Sequence, residues 1–433
     1  MRKLSLPSKD LYKYLITALV VAIPLYPKFP LFNIPGTYVA VRIEDFLIAI
    51  SFLLFLPLFI KEFKKLIKNS VVRSIFIFLF IGFVSWVSAV FLTKTVVPHI
   101  GLLHLLRRGQ YLSLFLFGLI YVRNFYSKGF IEYIKKVLGL VVGFSFIYGL
   151  LQRYISFPIV ITQNQEYSKG IALRWVTGSH INSTFAGHYD LASYLVLILP
   201  IFVTGFFVFK DKGMKRFCAT ISLMGYWLLS SAVSRISIVS FLVAGTIALF
   251  LLKKYKSIMI FGAISVILFG FSPGLRERYM RIINVVKDKL VLVGTVYAQE
   301  GIVEDRSTSI RLNVEWPRAI RALKKNPLLG TGYSSITLAT DNDYLRALGE
   351  VGILGFSAFM LIFINIGKAC HKSLSLEKLS TYEKIFFVSI LGGVVGILIN
   401  AFFIDIFEAS KLATSLWLLL GLLVGILGIK NNQ

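Results

Sequence analysis

Long apolar runs separated by short polar connections make up most of this chain, and they predict helices that cross a membrane. A helix needs roughly 20 apolar residues to span the hydrocarbon core. About twelve runs of suitable length occur, near residues 13–32, 43–60, 74–93, 102–121, 133–152, 190–209, 217–233, 236–252, 257–272, 351–367, 385–404 and 411–429. The pattern therefore predicts an all-α polytopic membrane protein of about 12 transmembrane helices.

Two connections are too long to be simple turns. One covers residues 153–188 and the other 273–350, and loops longer than about 15 residues usually carry function. We therefore divide the chain into three parts. Residues 1–272 form transmembrane helices 1–9 with the smaller external loop, 273–350 form a large periplasmic, helical loop, and 351–433 form transmembrane helices 10–12.

Lysine and arginine collect in alternate connections, which predicts the orientation of the chain. The cationic connections are near residues 61–73, 123–136, 210–216, 253–256 and 368–384. Short cationic loops stay on the cytoplasmic side of a membrane. We therefore expect a multi-pass membrane protein with both termini in the cytoplasm and the two long loops on the external side.

The composition supports a membrane protein and argues against several other classes. The chain is 56% hydrophobic and 16% charged, whereas a soluble domain carries about 25% charged residues. The net charge of +26 follows from the cationic connections, so we expect no nucleic-acid partner. No Walker-type motif or cysteine–histidine cluster occurs, and we predict no metal and no other cofactor. The pair Asp341-x-Asp343 is the one reservation, since paired aspartates bind divalent cations.

A cationic helix face is predicted within the large loop. Pro317 favours a helix start, and Arg318, Arg321 and Lys325 then lie at i, i+3 and i+7 on one face. Arg311 precedes the proline and is a further candidate for this face. Arginine binds phosphate in a bidentate manner and stays charged, so the face suits a phosphate-bearing headgroup. The alternatives are a solvated helix surface and contact with anionic lipids.

A polar segment follows and opens the helix that enters the membrane. Asp341 is a candidate general base, because a carboxylate at a partly dehydrated membrane edge has a raised pKa. Asp341 or Asn342 alternatively caps the helix. Glu350 lies at the predicted water boundary, where it contacts substrate or pairs with an arginine. Tyr333 and Tyr344 complete the candidate substrate contacts here.

Two further regions carry candidate residues at the external side. In the smaller loop, the hydrogen-bonding side chains before the sixth run suit sugar contacts; they are Arg174, His180, Asn182 and His188. Arg235 lies between the seventh and eighth runs, where an ionisable residue so close to hydrocarbon is usually functional unless it reaches the headgroups. Arg107 and Arg108 raise the same question in the fourth run, and Arg42 and Asp45 are predicted to form an ion pair.

Three segments together resemble the O-antigen ligase/polymerase superfamily of membrane glycosyltransferases. The first is residues 325–333 (KNPLLGTGY), followed by 341–345 (DNDYL) and 350–355 (EVGILG). The second is residues 183–192 (STFAGHYDLA), and the third is Ser234-Arg235. The resemblance implies a GT-C-like membrane fold and metal-independent glycan transfer from undecaprenyl pyrophosphate with inversion at the anomeric carbon.

Ligases of this superfamily usually have histidine where this chain has Asp341, so we favour a polymerase whose acceptor is another lipid-linked repeat unit. In that scheme, Arg311, Arg318, Arg321 and Arg235 hold the pyrophosphate, Asp341 accepts the proton, and Asn342 and His188 position the sugars. Expected partners are the lipid-linked oligosaccharide, membrane lipids and a protein that regulates chain length. The alternatives are an O-antigen ligase, which transfers the glycan to lipid A-core or another acceptor, and, in a different class, a flippase for lipid-linked oligosaccharides.

Overall fold

The computed structural model describes residues 8–34, 40–160, 172–176, 179–270, 309–337, 339–372 and 377–431. Helices account for most of these residues. They are α1 Lys9–Leu25, α2 Ile43–Ile67, α3 Ser70–Phe91, α4 Pro98–Phe125, α5 Phe130–Ile155, α6 His188–Val208, α7 Lys212–Ala232, α8 Arg235–Leu251, α9 Tyr255–Gly270, α10 Trp316–Lys325, α11 Asp343–His371, α12 Thr381–Asn400 and α13 Ser410–Asn431. Two antiparallel pairs of two-residue strands lie between helices. They are β1 Phe32–Asn33 with β2 Ala40–Val41, and β3 Ile159–Val160 with β4 Ala172–Leu173.

The predicted apolar runs all coincide with helices. Within the described ranges, seven helices are long and apolar enough to cross a membrane: α2, α3, α5, α6, α11, α12 and α13. Helices α8 and α9 are apolar but shorter, and α4 contains Arg107 and Arg108. The all-α architecture is confirmed, while the count of twelve spans and the GT-C-like fold stay predictions.

The first predicted run is too long at its C-terminal end. Helix α1 ends at Leu25 instead of continuing to residue 32, because Pro27 and Pro30 lack the N–H groups that a continuing helix needs. The carbonyl groups left at this helix end are occupied by a lysine from the other end of the chain. Lys411, with no exposed surface, donates from Nζ to the carbonyl oxygens of Pro24 (2.9 Å) and Tyr26 (2.6 Å).

One end of the helical bundle brings together the long loops and the helix ends beside them. Lys411, in the first turn of α13, also donates to the Thr184 carbonyl just before α6, at 2.7 Å. The Asp343 N–H, at the start of α11, donates to the carbonyl of Ala401 after α12, at 2.9 Å. Near the start of α8, Ser237 Oγ accepts from Asn400 Nδ2 at 3.1 Å. The polar residues predicted to be external therefore share one end of the fold.

Helix α11 contains a sharp break at Gly352, which has φ +66° and ψ −172°. A break of this kind removes the helical hydrogen bonds from residues 353 and 354 to residues 349 and 350. The segment 327–332 replaces these hydrogen bonds, because it supplies both acceptors for the free N–H groups and donors for the free carbonyls. Its carbonyls at Pro327 and Leu328 accept from Ile353 (2.9 Å) and Leu354 (3.2 Å), and its N–H groups at Thr331 and Gly332 donate to Gly349 (2.9 Å) and Glu350 (2.8 Å). The break therefore leaves these backbone groups satisfied, as a low-dielectric surrounding requires.

We expect Gly352→Ala to destabilise the protein by about 1–3 kcal/mol, the usual cost of a strained backbone conformation. A Cβ atom at this position would lie 2.3 Å from the Leu328 carbonyl oxygen, and the positive φ disfavours any other residue. The measurement is the thermal unfolding midpoint of the purified protein in detergent.

Gly367→Ala, in the same helix, is the matched control. Its Cβ would meet no atom within 4 Å, so the substitution should leave the midpoint unchanged or raise it slightly. Equal midpoints for the two variants would contradict the proposed role of Gly352.

Candidate functional site

The predicted cationic helix is present, but it begins before Pro317. A π-helical turn, Arg311–Glu315, leads directly into α10, and both Glu315 and Trp316 have right-handed helical φ and ψ angles. The Trp316 N–H donates to the carbonyl of Arg311, five residues back. A π turn thus continues the helix into Pro317, which lacks an N–H group, and such turns are frequent at functional sites. The α-helix itself begins at Trp316, so Pro317 lies in its first turn as predicted, and the π turn extends the helical segment back to Arg311.

The continuous helix brings basic and acidic side chains together. Arg311, Glu315 and Arg318 are partly buried, whereas Arg321 is exposed. Helix α10 packs against the start of α11, where Gly349 lies beside the Ala319 carbonyl. Arg318 Nη1 is buried and has no hydrogen-bond partner within the described ranges. This nitrogen can therefore donate a hydrogen bond to a ligand without breaking a hydrogen bond within the protein.

Arg311 and Asp341, two of the predicted site residues, form an ion pair. Asp341 Oδ2 accepts from Arg311 Nε at 3.1 Å and from Arg311 Nη2 at 2.8 Å. Asp341 itself has φ +49°, which is unusual for a residue other than glycine and typical of functional or turn positions. Burial raises the pKa of the Asp341 carboxyl, Asp405 raises it further, and Arg311 lowers it. The pair lies outside the membrane-spanning helices, at the entrance to α11.

Glu315 lies beside this ion pair, and the sequence analysis did not select it. Its Oε2 atom is buried and lacks a hydrogen-bond partner among the residues that the structure describes. Burial raises its pKa to about 7, with further increases from Asp341 and Asp405 and decreases from Arg311 and Arg318. The carboxyl group therefore changes its protonation state near neutral pH, unlike an ordinary surface glutamate.

Asp405 holds the segment that carries Asp341. Its Oδ2 atom accepts from the Thr340 N–H at 2.7 Å and from Arg346 Nη1 at 3.0 Å, and its Oδ1 atom accepts from the Asn342 N–H at 3.1 Å. Because both neighbours of Asp341 are tied to one carboxylate, the backbone around Asp341 is held in place despite its positive φ.

Arg346 is the centre of a buried charge network beneath this segment. It is 4% exposed and lies 3.0 Å from Asp405, 3.5 Å from Glu350 and 3.4 Å from Glu408. Arg108 of α4 completes the network through an ion pair with Glu408. Arg108, Arg346, Glu350 and Glu408 line a cavity together with Tyr333, Asp343 and apolar side chains. Arg346 connects this cavity to the segment that carries Asp341, through Asp405.

Four residues predicted beside Asp341 have clear structural contacts. Asn342 caps α11 by accepting from the Leu345 N–H at 2.9 Å, which is the alternative role given for it above. Tyr344 donates from its hydroxyl to the Leu398 carbonyl at 2.6 Å. Tyr333 is buried with the Arg108 guanidinium 5.8 Å above its ring, and Glu350 pairs with Arg346. Substrate contact by these four side chains stays a prediction.

Asp341 and Asp343 have different partners. Asp343 Oδ2 accepts from the N–H groups of Ile406 (2.7 Å) and Phe407 (3.1 Å), whereas Asp341 binds Arg311. Asp343 thus fixes the connection between α12 and α13 against the start of α11, which gives this aspartate a structural role.

The candidate residues of the smaller loop differ in burial and in their contacts. Asn182 is 3% exposed and donates to the carbonyls of Val160 (3.1 Å) and Phe185 (2.9 Å), so it holds the loop together. His188 begins α6, and its ring centre lies 4.4 Å from that of His180. Arg174 is exposed. A sugar-binding role stays a prediction for each of them.

Two of the remaining basic candidates, Arg235 and Arg42, lie at helix starts, whereas Arg107 and Arg108 lie within α4. Arg235 is the first residue of α8, after the capping residue Ser234. The predicted ion pair between the Arg42 and Asp45 side chains is wrong. Asp45 pairs with Arg107 through Oδ1, and its Oδ2 atom accepts from the backbone N–H of Arg42 at 3.0 Å. A capping position thus explains the i, i+3 spacing, because the first helical turn exposes N–H groups.

The sequence analysis missed Glu315, Arg346, Asp405 and Glu408. The predicted run 385–404 extends past the true end of α12 at Asn400, which leaves a connection of nine residues, 401–409. The two acidic residues in this connection, Asp405 and Glu408, were the available signal.

The apolar helices describe a multi-pass membrane protein, with the polar site at one end of the helical bundle. Residues 218–360 match the family model described as O-antigen ligase. This match begins in α7, ends in α11 and contains Arg235, Arg311 and Asp341. It confirms the resemblance to the O-antigen ligase/polymerase superfamily and indicates an enzyme of the glycosyltransferase type. No curated protein matches the chain at a significant level.

Proposed function

We propose that the chain is a polysaccharide polymerase that transfers a glycan from undecaprenyl pyrophosphate to a second lipid-linked repeat unit. The observation that carries this proposal is the Arg311–Asp341 pair beside Glu315 and Arg318, within the segment that matches the O-antigen ligase model. Arginines at a membrane edge suit a lipid-linked pyrophosphate, and a carboxylate next to them suits an attacking hydroxyl.

The proposed reaction uses the arginines to stabilise the leaving group. The acceptor hydroxyl oxygen attacks the anomeric carbon from the face opposite the pyrophosphate, so the configuration inverts. The bond between the anomeric carbon and the pyrophosphate oxygen breaks, and its electron pair leaves with undecaprenyl pyrophosphate. Arg311 and Arg318, with Arg321 and Arg235, are placed to offset this growing negative charge. No metal step is part of this scheme.

The proposed setting is the outer face of a bacterial inner membrane, with both termini in the cytoplasm. The lysine-rich connections lie between helix ends opposite the candidate site, for example at Lys212 and Lys215 in the first turn of α7. This distribution supports a periplasmic site through the positive-inside rule. A protein that regulates chain length is an expected partner of a polymerase in this setting.

Two observations bear on the choice between polymerase and ligase. The family model that matches residues 218–360 is that of O-antigen ligases, which favours a ligase. The aspartate at position 341, where the resemblance implies a histidine in ligases, favours a polymerase. An acceptor experiment decides between them.

We expect purified protein, given undecaprenyl-pyrophosphate-linked repeat units, to produce a ladder of longer lipid-linked chains on a gel. Lipid A-core is added in a parallel reaction. A single transfer to lipid A-core without a ladder would identify a ligase and contradict the polymerase. Absence of any product in both reactions would favour the flippase.

A further inference from the structure

Three carboxylates lie together at the candidate site, and their hydrogen bonds differ. Asp405 binds two backbone N–H groups and Arg346. Asp341 receives two hydrogen bonds from Arg311 on one oxygen. Glu315 has a buried oxygen, Oε2, that accepts no hydrogen bond from any residue in the described ranges. Among the three, Glu315 is therefore the carboxylate with a buried oxygen that still lacks a donor, and the hydroxyl of a bound acceptor can supply one.

Because Asp341 is hydrogen-bonded to Arg311, its role differs from that of Glu315. A pyrophosphate bound at this site needs the Arg311 guanidinium in a defined orientation, and the two hydrogen bonds to Asp341 supply it. If Asp341 were to take a proton, it would weaken the contact that orients Arg311. The geometry thus separates a carboxylate that positions the arginine from a carboxylate whose buried oxygen has no donor.

We propose that Glu315 is the catalytic base for the acceptor hydroxyl and that Asp341 is a positioning residue for Arg311. This assignment rests on the proposed glycan transfer. As the acceptor oxygen bonds to the anomeric carbon, its proton passes to Glu315 Oε2, and the glycosidic electron pair departs with undecaprenyl pyrophosphate. The protonated Glu315 then returns its proton to water before the next cycle.

The charges around Glu315 give this assignment a pH dependence. Arg311 of the π turn and Arg318 of α10 favour the ionised form, whereas burial, Asp341 before α11 and Asp405 before α13 disfavour it. With a pKa of about 7, Glu315 is protonated below that pH and ionised above it. Because a base must be ionised, the turnover rate should rise as the pH increases through about 7.

The test compares Glu315→Gln and Asp341→Asn in the purified full-length protein. We expect Glu315→Gln to lower kcat by about 10²-fold, the usual contribution of a general base, and to lose the rise in rate near pH 7. Its KM for the lipid-linked donor should stay close to that of the wild type. Asp341→Asn should raise the donor KM and weaken binding of undecaprenyl pyrophosphate, while keeping the rise in rate near pH 7.

Glu377→Gln is the matched control, because Glu377 is exposed in the connection between α11 and α12. It should behave as the wild type. Glu315→Asp keeps the carboxyl group and should recover part of the rate together with the pH dependence, which separates lost chemistry from lost folding.

A Glu315→Gln variant with wild-type kcat and an unchanged pH profile would overturn the assignment. So would loss of the pH-dependent rise in Asp341→Asn alone, since that would make Asp341 the base. If the wild type forms no product with any acceptor, the proposed glycan transfer itself fails, and the base assignment fails with it. The outcomes are therefore distinguishable.

Discussion

Arg311→Ala is expected to lower the initial rate of lipid-linked chain extension by about 10²–10³-fold, the usual cost of removing one preorganised group that stabilises developing charge. In the proposed reaction Arg311 offsets the charge that grows on the leaving pyrophosphate, and Asp341 holds its guanidinium through Nε and Nη2. The measurement is product formed per minute from undecaprenyl-pyrophosphate-linked repeat units at saturating donor.

The control for this substitution is Arg216→Ala. Arg216 is an exposed arginine of α7 on the side of the cationic connections, and its loss should leave the rate unchanged. Arg311→Lys should recover little activity, because lysine cannot reproduce the planar, two-nitrogen contact with Asp341. An Arg311→Ala protein that extends chains at the wild-type rate would remove this arginine from the mechanism.

Arg346→Met is expected to destabilise the folded protein by about 3–5 kcal/mol, the range found when one partner of a buried ion pair is removed. Arg346 is 4% exposed and lies within 3.5 Å of three carboxylates, those of Asp405, Glu350 and Glu408. Methionine keeps an apolar side chain comparable to the aliphatic part of arginine and leaves these negative charges without their shared cation. The thermal midpoint in detergent, followed together with the yield of monodisperse protein, measures the effect.

The same substitution should also disturb the site, because Asp405 holds the backbone on both sides of Asp341. Arg346→Lys keeps the positive charge and should give an intermediate midpoint. Arg216→Met is the control for the loss of an exposed arginine. A midpoint for Arg346→Met equal to that of the wild type would show that the network contributes little to stability.

The helices were predictable because the membrane imposes a strong requirement on them. A spanning helix needs a continuous apolar run, and each predicted run coincides with a helix. Errors occurred at the ends, where individual contacts decide the boundary. Helix α1 ends early, with Lys411 bound to its last carbonyls, and α2 extends to Ile67, past the predicted end at residue 60, because its polar last turns continue the helix.

The structural role of the segment 325–333 could not be predicted from its sequence. In the structure this segment supplies hydrogen bonds to the break at Gly352, and a Cβ at Gly330 would lie 2.5 Å from the Glu350 backbone. Only the folded chain reveals that the two glycine-containing motifs, which are about 20 residues apart, form one structural unit.

The site was only partly predictable, because its partners are distant in sequence. Arg311 and Asp341 were both selected, but their ion pair joins residues 30 positions apart. The Arg346–Asp405 contact joins residues 59 positions apart, and no periodicity indicates it. Glu315 was not predicted, because an acidic residue near several arginines in the sequence is usually part of an ion pair at the protein surface. Its buried, unpartnered oxygen becomes apparent only when α10 packs against α11.

The most direct test of the central claim, that this chain itself transfers glycans, is to count released undecaprenyl pyrophosphate against new glycosidic bonds. The purified protein is held in detergent with undecaprenyl-pyrophosphate-linked repeat units, without ATP and without an ion gradient. We predict one undecaprenyl pyrophosphate released for each linkage formed, with lipid-linked chains of increasing length. A folded protein that forms no linkage and releases no undecaprenyl pyrophosphate under these conditions would contradict the account.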